Sequence, residues 1–183
     1  MRKILVVVDM QNDFLTGALR NEEAIQVAPY VLDKIKAARE AGKTILFTRD
    51  THDENYMETE EGANLPVPHC IRGTKGWEII DSLDAATNAD LVIDKETFGS
   101  KDLAAYMQEH ADEIDEVEFI GVCTDICVIS NVLLTKAMIP NKKIYVDAAG
   151  CAGVTIEAHD TALNAMKACH IKVVNQGKEP WRV

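Results

Sequence analysis

Six short runs of β-branched and other apolar residues recur along the chain, and helical patterns fill the gaps between them. The runs are Ile4–Val8, Thr44–Phe47, Leu91–Ile93, Val117–Val122, Lys143–Val146 and Ile171–Val174. Most are continuously apolar rather than alternating, the pattern of strands covered on both faces. Between the first two runs, Val31, Ile35 and Ala38 recur at helical spacing. Pro29 suits a first helical turn and Gly42 a C-terminal cap. Asp102 to His110 reads as a second helix. Ile126 to Met138 reads as a third, stopped by Pro140. A fourth is capped by Thr155 and ends near Cys169. This alternation predicts a three-layer, doubly wound α/β fold: a mostly parallel six-stranded sheet with helices on both faces. At 183 residues the chain is expected to form a single domain, 1–183, with a core that needs no staples.

Composition removes several functions. A net charge of −11 would repel a phosphate backbone, so no nucleic-acid partner is expected. No apolar run approaches the roughly 20 residues of a membrane span. Met1-Arg2-Lys3 is basic, but Ile4 to Val8 is too short for a signal-peptide core. Five cysteines, an odd number, argue against a disulfide framework and for a cytoplasmic protein.

Open parallel sheets build their sites at the carboxyl ends of the strands. Asp9 ends the first run here, Arg49-Asp50-Thr51-His52 the second, Asp94-Lys95 the third, and Gly121-Val122-Cys123-Thr124-Asp125-Ile126-Cys127 the fourth. An acid, an acid with a histidine, a lysine and a thiol thus meet on one edge. Cys127 would stand in the first turn of a helix, where backbone N–H groups and a nearby lysine stabilise a thiolate. The same N–H groups could hold an oxyanion. Asp9 beside a thiol is a candidate proton shuttle. Asp50, His52 and His69 form a second group suited to Zn²⁺, Mn²⁺ or Fe²⁺, with Glu61, Glu60 or Glu58 as a further oxygen ligand. These residues lie in Asp50–Thr74, a connection long enough to be functional or disordered. Each residue also has an ordinary reading: a buried small cysteine, a turn-capping aspartate, a solvated lysine, loop histidines.

Taken jointly, the motifs resemble the isochorismatase-like cysteine hydrolases. The carriers are D-x-Q-N-D-F from Asp9, the strand-ending Lys95 and G-V-C-T-D-I-C from Gly121. Asp50-x-His52, Pro68-His69-Cys70 and Gly73-Thr74-x-Gly76 resemble the nicotinamidase (pyrazinamidase) branch. The resemblance implies a catalytic triad of Asp9, Lys95 and Cys127, with Cys127 attacking the carboxamide of nicotinamide. It implies a cis peptide at Val122–Cys123, an oxyanion hole from the N–H groups of Cys123 and Cys127, and metal ligands Asp50, His52, His69 and Glu61. The metal, zinc first, would bind the pyridine nitrogen. Phe14, Phe98 and Val122 are the expected pocket residues, with Gln11 pointing into the pocket or its support and Trp77 either lining the pocket or packing in the core. NAD salvage and a homo-oligomer follow from the same resemblance, with the helix from Ile126 and the tail Glu179-Pro180-Trp181 as candidate interfaces. Two alternatives stay open. One is a sibling hydrolase acting on another small amide, a ureido compound or isochorismate. The other is a redox-sensing pair, Cys123 with Cys127.

Overall fold

The computed structural model describes residues 1–182. Its centre is one six-stranded sheet built from β1 (Arg2–Val8), β2 (Thr44–Asp50), β3 (Leu91–Lys95), β4 (Ile114–Val122), β5 (Lys143–Ala152) and β6 (Lys172–Val174). The order is β3-β2-β1-β4-β5-β6, and every pairing is parallel. Each expected run is a strand, but β2 and β3 run on to Asp50 and Lys95. Arg49 and Asp50, and Asp94 and Lys95, therefore belong to the strands, while Thr51 and His52 follow β2.

Side chains along β1 alternate between two cores. Ile4, Val6 and Val8 pack with Leu103, Met107, Val132, Leu163 and Met166, which belong to the helices Lys101–Glu109, Ile129–Met138 and Ile156–Ala168. Leu5 and Val7 pack with Val27, Val31, Ile35 and Ala38 of the helix Glu22–Glu40. Three layers follow, because a sheet buried on both faces needs apolar helix stripes on both.

The helix Glu22–Glu40 corrects one expectation. Pro29 lies inside it, not in its first turn. The start is set by Asn21, whose side chain accepts from the N–H of Ala24 at 2.8 Å. An interior proline costs about 3 kcal/mol; burial of Ala24, Val27 and Val31 on the sheet outweighs it. Gly42 ends the helix as expected. Its φ is +66°, and the N–H groups of Gly42 and Lys43 donate to the carbonyls of Arg39 and Ala38, a Schellman closure. The long connection is not irregular throughout: it holds a 3₁₀ turn at Tyr56–Glu58 and a short helix at Glu60–Asn64, capped by Thr59. The turn Thr124–Val128 is a π turn that runs into the helix Ile129–Met138, so the expected helix from Ile126 begins wider than an α-helix.

β1 leads through β2 to β3 on one side, and β4 through β5 to β6 on the other. The direction of winding reverses between β1 and β4, and such a reversal opens a crevice at the carboxyl edge. Asp9 and the turn containing Cys127 flank that crevice.

Candidate active site

Asp9 follows β1 with φ +47°, a left-handed conformation that aspartate tolerates better than most residues. The side chain is fully buried. Its Oδ1 accepts from Thr48 Oγ1 at 2.7 Å, and its Oδ2 lies 2.7 Å from Lys95 Nζ. Burial raises the Asp9 carboxyl above its ordinary value, with Lys95 pulling it back only in part. Thr48 carried no signal in the sequence: it reads as one more β-branched strand residue, and only its register beside Val8 brings it to Asp9.

Lys95 ends an edge strand, yet its ammonium lies at the centre of the site. Nζ is 3.0 Å from Asp50 Oδ1, 3.1 Å from the Thr97 carbonyl and 3.5 Å from Cys127 Sγ. Asp50 and Lys95 are direct partners across β2 and β3, so the pairing begins in the sheet register. Burial alone would favour a neutral amine, but the neighbouring carboxylates of Asp9 and Asp50 hold Lys95 well above its ordinary value.

Cys127 is 6 % exposed, and burial pushes its thiol well above the usual value despite Lys95. Burial thus works against the thiolate that a helix start and a lysine were expected to favour, and the thiol stands beside the buried Asp9 carboxyl group. The peptide Val122–Cys123 is cis, as the resemblance implied.

Asp50 joins this group to a second one. Burial would raise its carboxyl; Lys95 and the two histidines hold it well below the usual range. Oδ1 faces Lys95, while Oδ2 lies 3.0 Å from His52 Nε2 and 3.5 Å from His69 Nε2. Glu61 Oε1 is 3.6 Å from each imidazole Nε2. The ligand atoms of Asp50, His52, Glu61 and His69 all lie within 4.8 Å of one another. A tetrahedral ion with bonds of about 2.1 Å separates its ligand atoms by roughly 3.4 Å, so these four fit a divalent metal. His69 Nδ1 lies 2.8 Å from the Val67 carbonyl, which leaves Nε2 as the free ligand nitrogen. Burial and the neighbouring Asp50 raise Glu61, a repulsion that a cation relieves. Glu61 rather than Glu58 or Glu60 completes the group. It lies on the short helix Glu60–Asn64 that Thr59 caps.

Above both groups opens a cavity of about 830 Å³. Phe14 and Phe98 line it, as expected, with Leu19, Leu65, Ile126 and Val154. Gln11, Val122 and Trp77 do not. Gln11 takes the supporting one of its two expected roles: its Oε1 accepts from the Asp50 N–H and its Nε2 donates to the carbonyls of Asp50 and Trp77. Val122 is buried in the helix 22–40 core. Trp77 packs under Arg49, 3.5 Å from guanidinium to ring centre, and donates to Thr51 Oγ1. Asn12 and Asp13 fix the turn after β1. Asn12 donates to the carbonyls of Lys75 and Glu78, and Asp13 accepts from the N–H groups of Ala18 and Cys70. Leu19, Leu65 and Val154 were missed because isolated apolar loop residues carry no periodic signal. Trp181 is buried rather than exposed on the tail. It packs inside its own chain, with its ring on His159 and its Nε1 donating to the Cys151 carbonyl.

Fold and pocket together define an α/β enzyme of the three-layer parallel class. The Isochorismatase domain model matches residues 3–177. The chain is 25 % identical to the nicotinamidase/pyrazinamidase of Mycobacterium tuberculosis, over 94 % of this chain and 98 % of that protein. The pyrazinamidase of Pyrococcus horikoshii, solved in complex with zinc, superposes with a TM-score of 0.82 at 31 % identity, covering 95 % of this chain and 99 % of that one. The N-carbamoylsarcosine amidase of Thermoplasma acidophilum shares the fold with a TM-score of 0.77 at 24 % identity, over 100 % and 99 % of the two chains. The chain belongs to the isochorismatase-like hydrolases, on the amidase branch that cleaves carbon–nitrogen bonds. Among the described residues no helix is long and apolar enough to cross a membrane.

Proposed function

We propose that this protein is a nicotinamidase-type amidohydrolase, a single catalytic domain over 1–183 that releases nicotinate and ammonia. One observation carries the reading. A single ammonium, Lys95 Nζ, touches the candidate base Asp9, the candidate metal ligand Asp50 and the candidate nucleophile Cys127, at 2.7, 3.0 and 3.5 Å. In this reading Asp9 Oδ2 takes the Cys127 proton as Sγ attacks the carboxamide carbon. Lys95 neutralises the carboxylate and the forming thiolate. The N–H groups of Cys123 and Cys127 hold the developing oxyanion. The C–N bond then breaks and Asp9 hands its proton to the departing ammonia. Water, deprotonated by Asp9, hydrolyses the thioester and restores the thiol. A divalent metal, zinc first and manganese or iron by the same ligand set, supplies a Lewis-acid anchor for the pyridine nitrogen when bound. Asp50, His52, His69 and Glu61 would hold it. The free cysteines, Cys70, Cys123, Cys127, Cys151 and Cys169, accord with a cytoplasmic setting, and NAD salvage is the role that such a product serves. Self-association belongs to the same reading.

Ammonia release from nicotinamide tests it. Activity falls on chelation, returns with zinc or manganese, and disappears in Cys127→Ala. Full activity in Cys127→Ala refutes the mechanism. A second reading rests on the cavity. At about 830 Å³ it is far wider than one pyridine ring, and Phe98 at its edge is 46 % exposed. That width favours a sibling hydrolase for a bulkier amide, and turnover of such amides with nicotinamide untouched would select it.

A further inference from the structure

A second buried polar group lies behind the turn that carries Cys127, and the mechanism above does not use it. His159, on the helix Ile156–Ala168, is fully buried. Its Nδ1 is 2.7 Å from Thr124 Oγ1, and its Nε2 is 3.2 Å from Glu179 Oε1. The Glu179 side chain is buried too. It accepts from the Gly177 N–H and, at 2.6 Å, from Arg182 Nε. Arg182 also donates to both oxygens of Asp160, at 2.8 and 3.1 Å. His159, Asp160 and Glu179 have the proximity of a metal group, but the Arg182 guanidinium already supplies the cation.

The chain has a fixed direction. The Glu179 carboxylate only accepts, so His159 Nε2 carries the hydrogen. Burial holds His159 below its ordinary value, so the imidazole is neutral and Nδ1 accepts. Thr124 Oγ1 must therefore donate. Thr124 opens the π turn Thr124–Val128 directly after Cys123. Trp181 covers the imidazole, ring centres 5.0 Å apart and edge to face. A Cβ at Gly153 would come within 2.8 Å of His159 Cβ, so the loop after β5 closes on the base of the same side chain.

We propose that the Glu179–His159–Thr124 chain positions the nucleophile turn, the segment 177–182 acting as a strap that holds Cys127 against Lys95 and the cavity. The matched family region ends at residue 177, so Glu179 and Arg182 lie outside it. The inference rests on reading Cys127 as the nucleophile.

The test uses two readouts on the full chain: amide hydrolysis, and alkylation of Cys127 by iodoacetamide followed on its peptide by mass spectrometry. Small displacements of a reacting group cost up to about a hundredfold. Thr124→Val, close to isosteric, is expected to slow both kcat and alkylation by roughly tenfold to a hundredfold with KM nearly unchanged. Thr124→Ser keeps the donor and recovers most of the rate. Glu179→Gln slows both as well, and combined with Thr124→Val it adds little, because the two act through one chain. Should Thr124→Val fail to fold, Glu179→Gln reads the chain from its far end. Wild-type alkylation in both Thr124→Val and Glu179→Gln, no rescue by Thr124→Ser, or losses that multiply in the double variant would overturn the proposal. Alkylation displaces iodide and needs no amide hydrolysis, so an inactive wild type towards nicotinamide removes the substrate reading and leaves this test intact.

Discussion

Lys95→Met removes the charge at the centre of the site while keeping most of the side-chain length. In the wild type, Lys95 Nζ lies 2.7 Å from Asp9 Oδ2 and 3.0 Å from Asp50 Oδ1, and all three side chains are buried. At an effective dielectric constant of about 20, each pair attracts by roughly 6 kcal/mol. Most of that offsets the cost of taking three charges out of water. Deleting one partner leaves the others unpaired, at about 3–5 kcal/mol. The pH dependence identifies the cause. Burial already raises Asp9, and Lys95 lowers it most, with a smaller contribution from the Thr48 hydroxyl. Without Lys95 the folded Asp9 rises further above its unfolded value of about 3.9. A raised folded pKa favours the folded state at low pH, and that advantage is lost as pH rises through it. The deficit of Lys95→Met against wild type should therefore be smallest near pH 4 and largest above pH 7. Urea unfolding midpoints across that range measure it. Asp9→Asn in the Lys95→Met background should recover part of the loss while both variants stay inactive. A deficit below about 1 kcal/mol at pH 7, a deficit independent of pH, or a further loss on adding Asp9→Asn would refute the reasoning.

Gly121→Ala should destabilise by about 3–5 kcal/mol in urea, because φ is +117° and a Cβ would strike the Val8 carbonyl oxygen, with the Val8 nitrogen at 2.6 Å. Gly42→Ala, at φ +66° with open space around it, should cost only about 1 kcal/mol; equal losses would sink the steric account. Burial holds His159 below its ordinary value, so its own contribution to stability should fall as pH drops below about 6.5, where the unfolded imidazole takes up a proton. His159→Gln should flatten that limb between about pH 6.5 and 5.5, and an unchanged slope in thermal melts would reject the assignment. Glu61→Gln should weaken zinc affinity by tenfold or more in a competitive chelator titration; unchanged affinity would remove Glu61 from the ligand set.

Much of the fold was legible because strands and helix stripes are short-range patterns. All six apolar runs became strands, and Gly42 and Thr155 cap the helices they were expected to cap. Pro29 misled, since local propensity cannot weigh one lost hydrogen bond against the burial of a whole helix face. The pocket was only half legible. Phe14 and Phe98 line it, whereas Gln11, Val122 and Trp77 serve the floor, the core and a cation–π stack.

What the amino-acid sequence determined by itself was the set of reactive groups and their edge. Asp9, Asp50, Lys95 and Cys127 each end or follow an apolar run, and parallel strands carry their ends to one side. Tertiary structure alone decided how those groups share contacts. The two oxygens of Asp50 divide between an ammonium and two imidazoles, a split that depends on strand order and on the path of the loop from β2 to His69. Thr124 and His159 are 35 residues apart, and His159 and Glu179 a further 20. Nothing local links them, because a buried polar chain takes its partners from whatever packing brings within reach. The same packing turned Trp181 inward and made burial, rather than a helix start, the dominant influence on the Cys127 thiol.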